Sequence, residues 1–242
     1  MKISIVVPAY NEEKLLPATL HTIANSAAAF TETGWDWEII VCDKNSTDDT
    51  ARIARQAGAN VVFEPVNQIS RARNTGAQAA SGDWLIFIDA DTLPSHRLFM
   101  RTRQIVQAQR HLAAGANIRF DSDVIWAQAF TLLWNTVSRL FHLAAGSFVA
   151  VDAATFRKVG GFSTELYASE EVELSIRLNR VAAERGLEAL KVITDPLIDT
   201  SGRKMDLYSG WEYFRFLGKG FFNGFGLLQS AEHCHLWYDG RR

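Results

Sequence analysis

Apolar positions along this chain follow two rhythms. Short unbroken blocks rich in β-branched and aromatic residues alternate with longer segments where apolar residues recur every third or fourth position. Ile3 to Val7, Glu38 to Asp43, Val61 to Phe63 and Trp84 to Ile88 are blocks of the first kind. They are too brief for helices and predict buried strands. Between them, Leu15, Leu16, Leu20, Ile23 and Ala27 keep helical spacing, with Pro17 tolerated in the first turn. A second helix is predicted from a cap at Ser46 or Thr47 to about Ala57, stopped by Gly58, and a third from a cap at Ser70 to Ala80. Strand and helix alternating in this way imply right-handed βαβ units and a parallel sheet.

The second half continues the pattern. Ser95 caps a helix to about Arg110, Leu112 to Phe120 reads as a strand, and Gly146 to Val151 as another. Asp152 caps a short helix ending at Gly160-Gly161-Phe162, and Ser169 opens a helix with Glu170 and Glu171 at its positive end. Trp126, Phe130, Leu133, Val137 and Leu140 or Phe141 form an aromatic-rich face on an intervening helix. Core packing or a seam between two copies is the favoured reading of that face; peripheral contact with a membrane surface or a lipid acceptor is the alternative. Thr200 to Lys204 reads as a polar loop, either closing over a diphosphate with Arg203 and Lys204 as candidate phosphate contacts or simply solvated. Trp211, Phe214, Leu217 and Phe221 suggest a further amphipathic helix, and His233 and His235 an incidental pair.

Composition narrows the class. With 242 residues, 48% hydrophobic and 21% charged, the chain has ample core for one domain of about 1–200 and an appendage of 201–242. A net charge of −2 gives no field that would draw it to nucleic acid. Two cysteines, Cys42 and Cys234, argue against a disulfide framework. Neither a leader peptide nor a spanning segment is read here, so a cytoplasmic location is expected, with peripheral membrane contact as its variant.

The chemistry concentrates at strand ends. The Trp84–Ile88 block runs into Asp89 and Asp91. If strand geometry persists, residues two apart emerge on the same side. Two carboxylates so placed need a counter-cation, and an all-oxygen site suits Mg²⁺ or Mn²⁺ held jointly with phosphates. Glu12 and Asp43 also follow strand ends, at the sheet edge where ligands bind in open α/β folds. Arg71 and Arg73 open the preceding helix and face three readings: a diphosphate, Asp43, or a structural ion pair.

Four segments, in order, resemble glycosyltransferase family 2: Ile5-Val6-Val7-Pro8-Ala9-Tyr10-Asn11-Glu12-Glu13, Asp43 to Thr50, Ala72-Arg73-Asn74-Thr75-Gly76, and Asp89-Ala90-Asp91. Gly160-Gly161-Phe162, Glu170-Glu171 and Arg177 match a later motif of that family. The resemblance spans about residues 2 to 185. It implies a GT-A fold, a Rossmann-like α/β sheet mostly parallel and flanked by helices. The nucleotide-sugar half would be 1–93 and the acceptor half 94–200. It also implies inverting, metal-dependent transfer of a sugar from a nucleotide-diphosphate donor to an acceptor hydroxyl. By the resemblance, Pro8, Tyr10 and Glu12 line the base and ribose pocket, and Asp43 sits beside the base. Arg73 lies at the nucleotide, Asp89 at the ribose or metal, and Asp91 on the metal. Glu171 is the general base, with Glu170 its neighbour. Lys44 stands where many members carry a second acid that reads uracil, so the donor base stays open. Rival readings are a nucleotidyltransferase, which would need a Gly- and Arg/Lys-rich loop that Pro8-Ala9-Tyr10-Asn11-Glu12 lacks, and a non-catalytic sugar-nucleotide binder.

Overall fold

A computed structural model describes residues 1–122 and 124–202. Expectations for Arg203, Lys204, the 211–221 helix and the histidine pair lie outside those residues. The first four strands, β1 (Lys2–Ala9), β2 (Asp36–Asp43), β3 (Asn60–Phe63) and β4 (Trp84–Ile88), pair in parallel. Helices α1 (Leu16–Ser26), the short α2 (Ala28–Thr31), α3 (Thr50–Gln56) and α4 (Ile69–Ala79) carry the chain between them. The βαβ reading of the first half therefore holds.

Beyond β4 the sheet is mixed. A two-residue strand β5 (Thr92–Leu93) precedes α5 (His96–Ala108), β6 (Ala113–Asp121), α6 (Ile125–Phe141), β7 (Phe148–Asp152), α7 (Ala153–Lys158), α8 (Glu170–Glu184) and β8 (Lys191–Ser201). The eight strands lie in the order β3-β2-β1-β4-β7-β6-β8-β5. Strand β7 runs antiparallel to both β4 and β6. Strand β8 corrects one expectation: Thr200 and Ser201 are its last residues, paired with Phe120 and Asp121, and not part of a loop. Its apolar pattern is broken by Asp195-Pro196, which hides the strand from periodicity.

Residue alternation along the strands fills two layers. Ile3, Ile5, Val7, Ile86 and Ile88 pack with Leu16, Phe30 and Phe99 of α1, α2 and α5. Val6, Leu85 and Phe87 pack with Phe156, Phe162, Leu174 and Leu178 around α7 and α8. Helix α4 lies tightly on β1, because a Cβ at Gly76 would stand 2.4 Å from Val6 Cγ1. Of the predicted caps, Ser95 and Asp152 accept from Leu98 and Thr155 N–H groups. Ser70 instead lies inside α4, and α3 starts at Thr50, with Asp48 accepting from the Thr50 N–H.

Of the α6 face read from the sequence, Trp126, Phe130 and Val137 are half-buried and Leu133, Leu140 and Phe141 exposed, so it is not a fully buried core face. The buried residues of α6 are Ala127, Asn135 and Ser138, and Asn135 bonds both the N–H and the C=O of Ile118. Ile125, Leu132, Leu133, Leu140 and Phe141 are exposed. The helical period was legible, but the face that meets β6 is chosen by polar pairing with its backbone. Among the described residues no helix is long and apolar enough to cross a membrane.

At the opposite end of the strands, Glu38 accepts from Ser4 Oγ at 2.6 Å, Lys2 Nζ at 2.9 Å and the Ser81 N–H at 2.9 Å. Desolvation works against its charge, but these bonds hold its carboxyl down to about 2. Glu38→Gln is expected to cost about 1.5–3 kcal/mol at neutral pH, the range for hydrogen bonds to a charged group. The folded pKa is depressed, so this stability is present above the usual carboxylate range and fades as pH falls toward 2. Urea melts at pH 7 and pH 3 check it: the gap between variant and parent narrows at the lower pH.

Candidate active site

Strand register brings the first group of residues to one edge. Ala9 is level with Asp43, and Asp43 with Phe63, while Val6 is level with Phe87. Tyr10, Asp43 and Asp89 thus leave the sheet together, beyond the buried Pro8. The two turns here are laced to each other. Asn11 N–H donates to Ser46 Oγ at 3.0 Å, Thr47 N–H to Asn11 Oδ1 at 2.8 Å, and Glu12 N–H to Thr50 Oγ1 at 2.8 Å. Asn11 adopts φ 51°, a left-handed conformation that asparagine tolerates. Asp43 accepts from the Ser46 N–H at 3.0 Å. Lys44 is buried next to it, its ammonium 5.9 Å from the Tyr10 ring centroid.

Asp89 and Asp91 are not related by strand alternation. Strand β4 stops at Ile88, and the Thr92 N–H donates to the Asp89 carbonyl at 3.1 Å, closing a turn. The Asp91 carbonyl accepts from the Ser201 N–H at 3.1 Å, which ties this turn to the end of β8. Both side chains are part-buried at the rim.

Helix α4 supplies the centre. Ser70, Arg73, Gly76 and Ala77 share its inner face, so Arg73 occupies a slot that spacing reserves for core residues. The side chain is 2% exposed. Its Nη1 donates to Glu170 Oε1 at 2.8 Å, and its Nη2 to Asp89 Oδ1 at 2.8 Å and to the Gly146 carbonyl at 2.7 Å. Phe162 covers the guanidinium, with its ring centroid 5.2 Å from Cζ. The arginine therefore pairs with Asp89 and Glu170 and not with Asp43. Desolvation opposes its charge, and the surrounding carboxylates overcome this and raise its pKa. Arg71 is exposed and outside the cluster.

The acceptor-side residues hang on the same helix. Asn74 donates from Nδ2 to the Phe162 carbonyl at 2.8 Å and accepts from the Phe162 N–H at 2.9 Å. Gln68 Nε2 donates to the carbonyls of Thr164 and Leu166 at 2.9 and 3.0 Å. Arg177 draws the glycine turn to α8 by donating to the carbonyls of Val159 and Gly161 at 2.6 and 2.7 Å. Glu170 is buried against Arg73, and Glu171 lies beside Gly146: a Cβ there would be 3.5 Å from Glu171 Cδ and 3.2 Å from Arg73 Nη2. Burial, then the neighbouring Glu170 charge, push the Glu171 carboxyl up to about 8, while Arg73 pulls it down. A carboxyl poised there can accept a proton from a hydroxyl near neutral pH.

Asp89, Arg73, Glu170 and Glu171 meet where the end of β4 faces α4 and α8, and Asp43 leaves the same sheet edge at the end of β2. Gly146, Asn74 and Gln68 were missed as site residues. The spacing of Ser70, Arg73 and Ala77 could have marked Arg73 as inward-facing.

Among the described residues no three His, Cys, Asp or Glu side chains form a ready-made metal cage. Asp91, with Asp89 beside it, offers a small set of hard oxygen donors at a part-open rim. That set fits a divalent ion completed by diphosphate oxygens and water, the usual manner of Mg²⁺.

The glycosyl transferase family 2 model matches residues 4–159. This chain belongs to that family. Within family 2 its curated relatives include a validoxylamine A glucosyltransferase of Streptomyces hygroscopicus subsp. jinggangensis, 27% identical over 220 residues, covering 73% of this chain and 51% of the relative. An uncharacterized glycosyltransferase of Mycobacterium tuberculosis is 39% identical over 89 residues, covering 37% of this chain and 36% of its own. The chain spans about half the length of the first of these. A mannosyltransferase from Pyrobaculum calidifontis in complex with GDP-Man and Mn²⁺ superposes with a TM-score of 0.72 at 17% identity, over 96% of this chain and 64% of that one. Glucosyl-3-phosphoglycerate synthase from M. tuberculosis, with Mn²⁺, UDP and glucosyl-3-phosphoglycerate, gives 0.60 at 24% identity, over 85% and 74%. The family 2 chain thus has the GT-A fold that its motifs implied.

Proposed function

We propose that the chain transfers a sugar, with inversion, from a nucleotide-diphosphate donor to an acceptor hydroxyl, with a divalent cation at Asp91 and Asp89. One observation carries this reading: the raised Glu171 carboxyl stands in the same Arg73-centred cluster as Asp89 of the donor edge. Solved structures of the same fold that contain Mn²⁺ with GDP-Man or with UDP lend further support.

In the proposed step Pro8, Tyr10, Asp43 and Lys44 hold the nucleoside at the ends of β1 and β2. Glu171 takes the proton of the acceptor hydroxyl, whose oxygen bonds to the anomeric carbon from the face opposite the leaving group. The carbon–oxygen bond to the diphosphate breaks, and its electron pair leaves with the nucleoside diphosphate. When bound, the cation neutralises charge on that leaving group. Lys44 offers a donor beside Asp43, so the pair can read a carbonyl next to a ring N–H, an edge that uracil, thymine and guanine share.

Thermal shift against UDP-, GDP- and dTDP-sugars with Mn²⁺, followed by release of nucleoside diphosphate with water as acceptor, tests the reading. A stabilised protein that also hydrolyses the matching donor is expected. Stabilisation without any hydrolysis would leave only a binder, and no stabilisation by any donor would remove the reading.

A further inference from the structure

We infer that Arg73 is a positioning residue that ties the donor edge to the acceptor-side helix, so that the chemical step depends on it and capture of the nucleotide does not. This rests on the transfer reading above and reassigns a residue that the family resemblance placed at the nucleotide.

The geometry separates the two ends of the guanidinium. Nη1 is committed to Glu170, whose side chain is 5% exposed. Nη2 is shared between Asp89, whose side chain is 35% exposed, and the Gly146 carbonyl. One end is closed in the protein, and the other faces the rim where a diphosphate and its cation would compete for Asp89. The residues bridged lie far apart in the chain: 16 positions from Arg73 to Asp89, and 97 to Glu170. A single planar fork therefore sets the distance between the turn after β4 and the first residue of α8. Glu171, the next residue, takes its place from that anchor, and Gly146 leaves room for the two groups to flank it.

Stability alone explains this arrangement poorly. Arg73 Nε is buried without a hydrogen-bond partner among the described residues. Three carboxylates surround one cation, and burying them costs more than an apolar cluster of the same size. Asn74 and Gln68 already clamp the 162–166 loop to α4 with four neutral hydrogen bonds. The charged bridge adds what neutral clamps cannot: a fixed link from the donor carboxylate to the base.

The test uses the full chain, Mn²⁺ and the donor identified by thermal shift, with water as acceptor. Arg73→Lys keeps the charge and loses the fork. Expected are a donor Kd within about threefold of the parent and a turnover lower by about 10²-fold, the scale of a misplaced reacting group. Glu170→Gln breaks the same bridge while keeping its size and should show the same split. The double variant should lose no more than the worse single one, because both remove one link. A donor Kd weakened in step with turnover would make Arg73 a nucleotide ligand and overturn the inference, as would parental turnover in both variants. If Arg73→Lys does not fold, the Kd and turnover of Glu170→Gln decide alone. A parent that neither binds nor hydrolyses any donor sinks the transfer reading itself; a working parent with indifferent variants sinks only the coupling.

Discussion

Glu171→Gln is expected to bind the donor with Mn²⁺ as the parent does and to lose about 10²- to 10⁴-fold in turnover, the usual worth of a positioned general base. The amide keeps the size of the side chain and its place beside Gly146 but cannot take a proton. Burial and the adjacent Glu170 raise the parent carboxyl to about 8, so much of it is protonated at neutral pH. A base must be unprotonated, so parental turnover rises as pH climbs through about 8 and levels above it. The variant should lack that limb. Stability moves the other way: a carboxyl whose folded pKa exceeds its unfolded value stabilises fully below about 4.5 and loses that contribution as pH rises through 8. Glu171→Gln should therefore melt higher than the parent at pH 9 and lose this advantage at pH 4. A variant that loses donor binding with its activity, or keeps the pH limb, would show that another group is the base.

The legible parts of this chain share a physical cause. Strands β1, β4 and the second half of β2 are buried on both faces, which imposes unbroken apolar blocks, and the chain turns polar at or just beyond their ends because the backbone there must leave the core. That is why Asp43 and Asp89 could be placed at one edge from spacing alone. Ser95 and Asp152 were readable as caps because capping is local. What escaped was set by distant partners. Strand β8 carries Asp195-Pro196 in its middle, and only its neighbours β6 and β5 hold it as a strand. The exposed stripe of α6 has the right period, but period does not say which face Asn135 will turn toward Ile118. Arg73 was visible as a motif residue, yet its partners Glu170 and Gly146 stand 97 and 73 positions away. The resemblance named Glu171, but its raised pKa comes first from burial, which only the tertiary fold sets, and then from the adjacent Glu170 charge, while Arg73 pulls it down.

Asp91→Ala is expected to reduce Mn²⁺-dependent turnover by about 10²- to 10³-fold, corresponding to several kcal/mol of charge stabilisation at the leaving group. The fold should survive, because the Asp91 carbonyl takes the Ser201 N–H and alanine retains that bond. The side chain is part-buried at a rim and not in the core, so its removal opens no large cavity. A readout independent of activity is the joint effect of ions and nucleotide. The described residues offer no three-ligand cage, so Mn²⁺ alone should shift the parent's melting little, and nucleoside diphosphate alone little more. Together they should stabilise it well beyond the sum, since each completes the other's coordination. Asp91→Ala should abolish that surplus while remaining cooperatively folded without ligands. Asp89→Asn serves as the contrast, because it weakens both the rim and the Arg73 bridge and so should lower turnover even where nucleotide binding persists. If Asp91→Ala keeps the surplus, the cation is held elsewhere, and the part-open turn after β4 is a structural corner of the sheet.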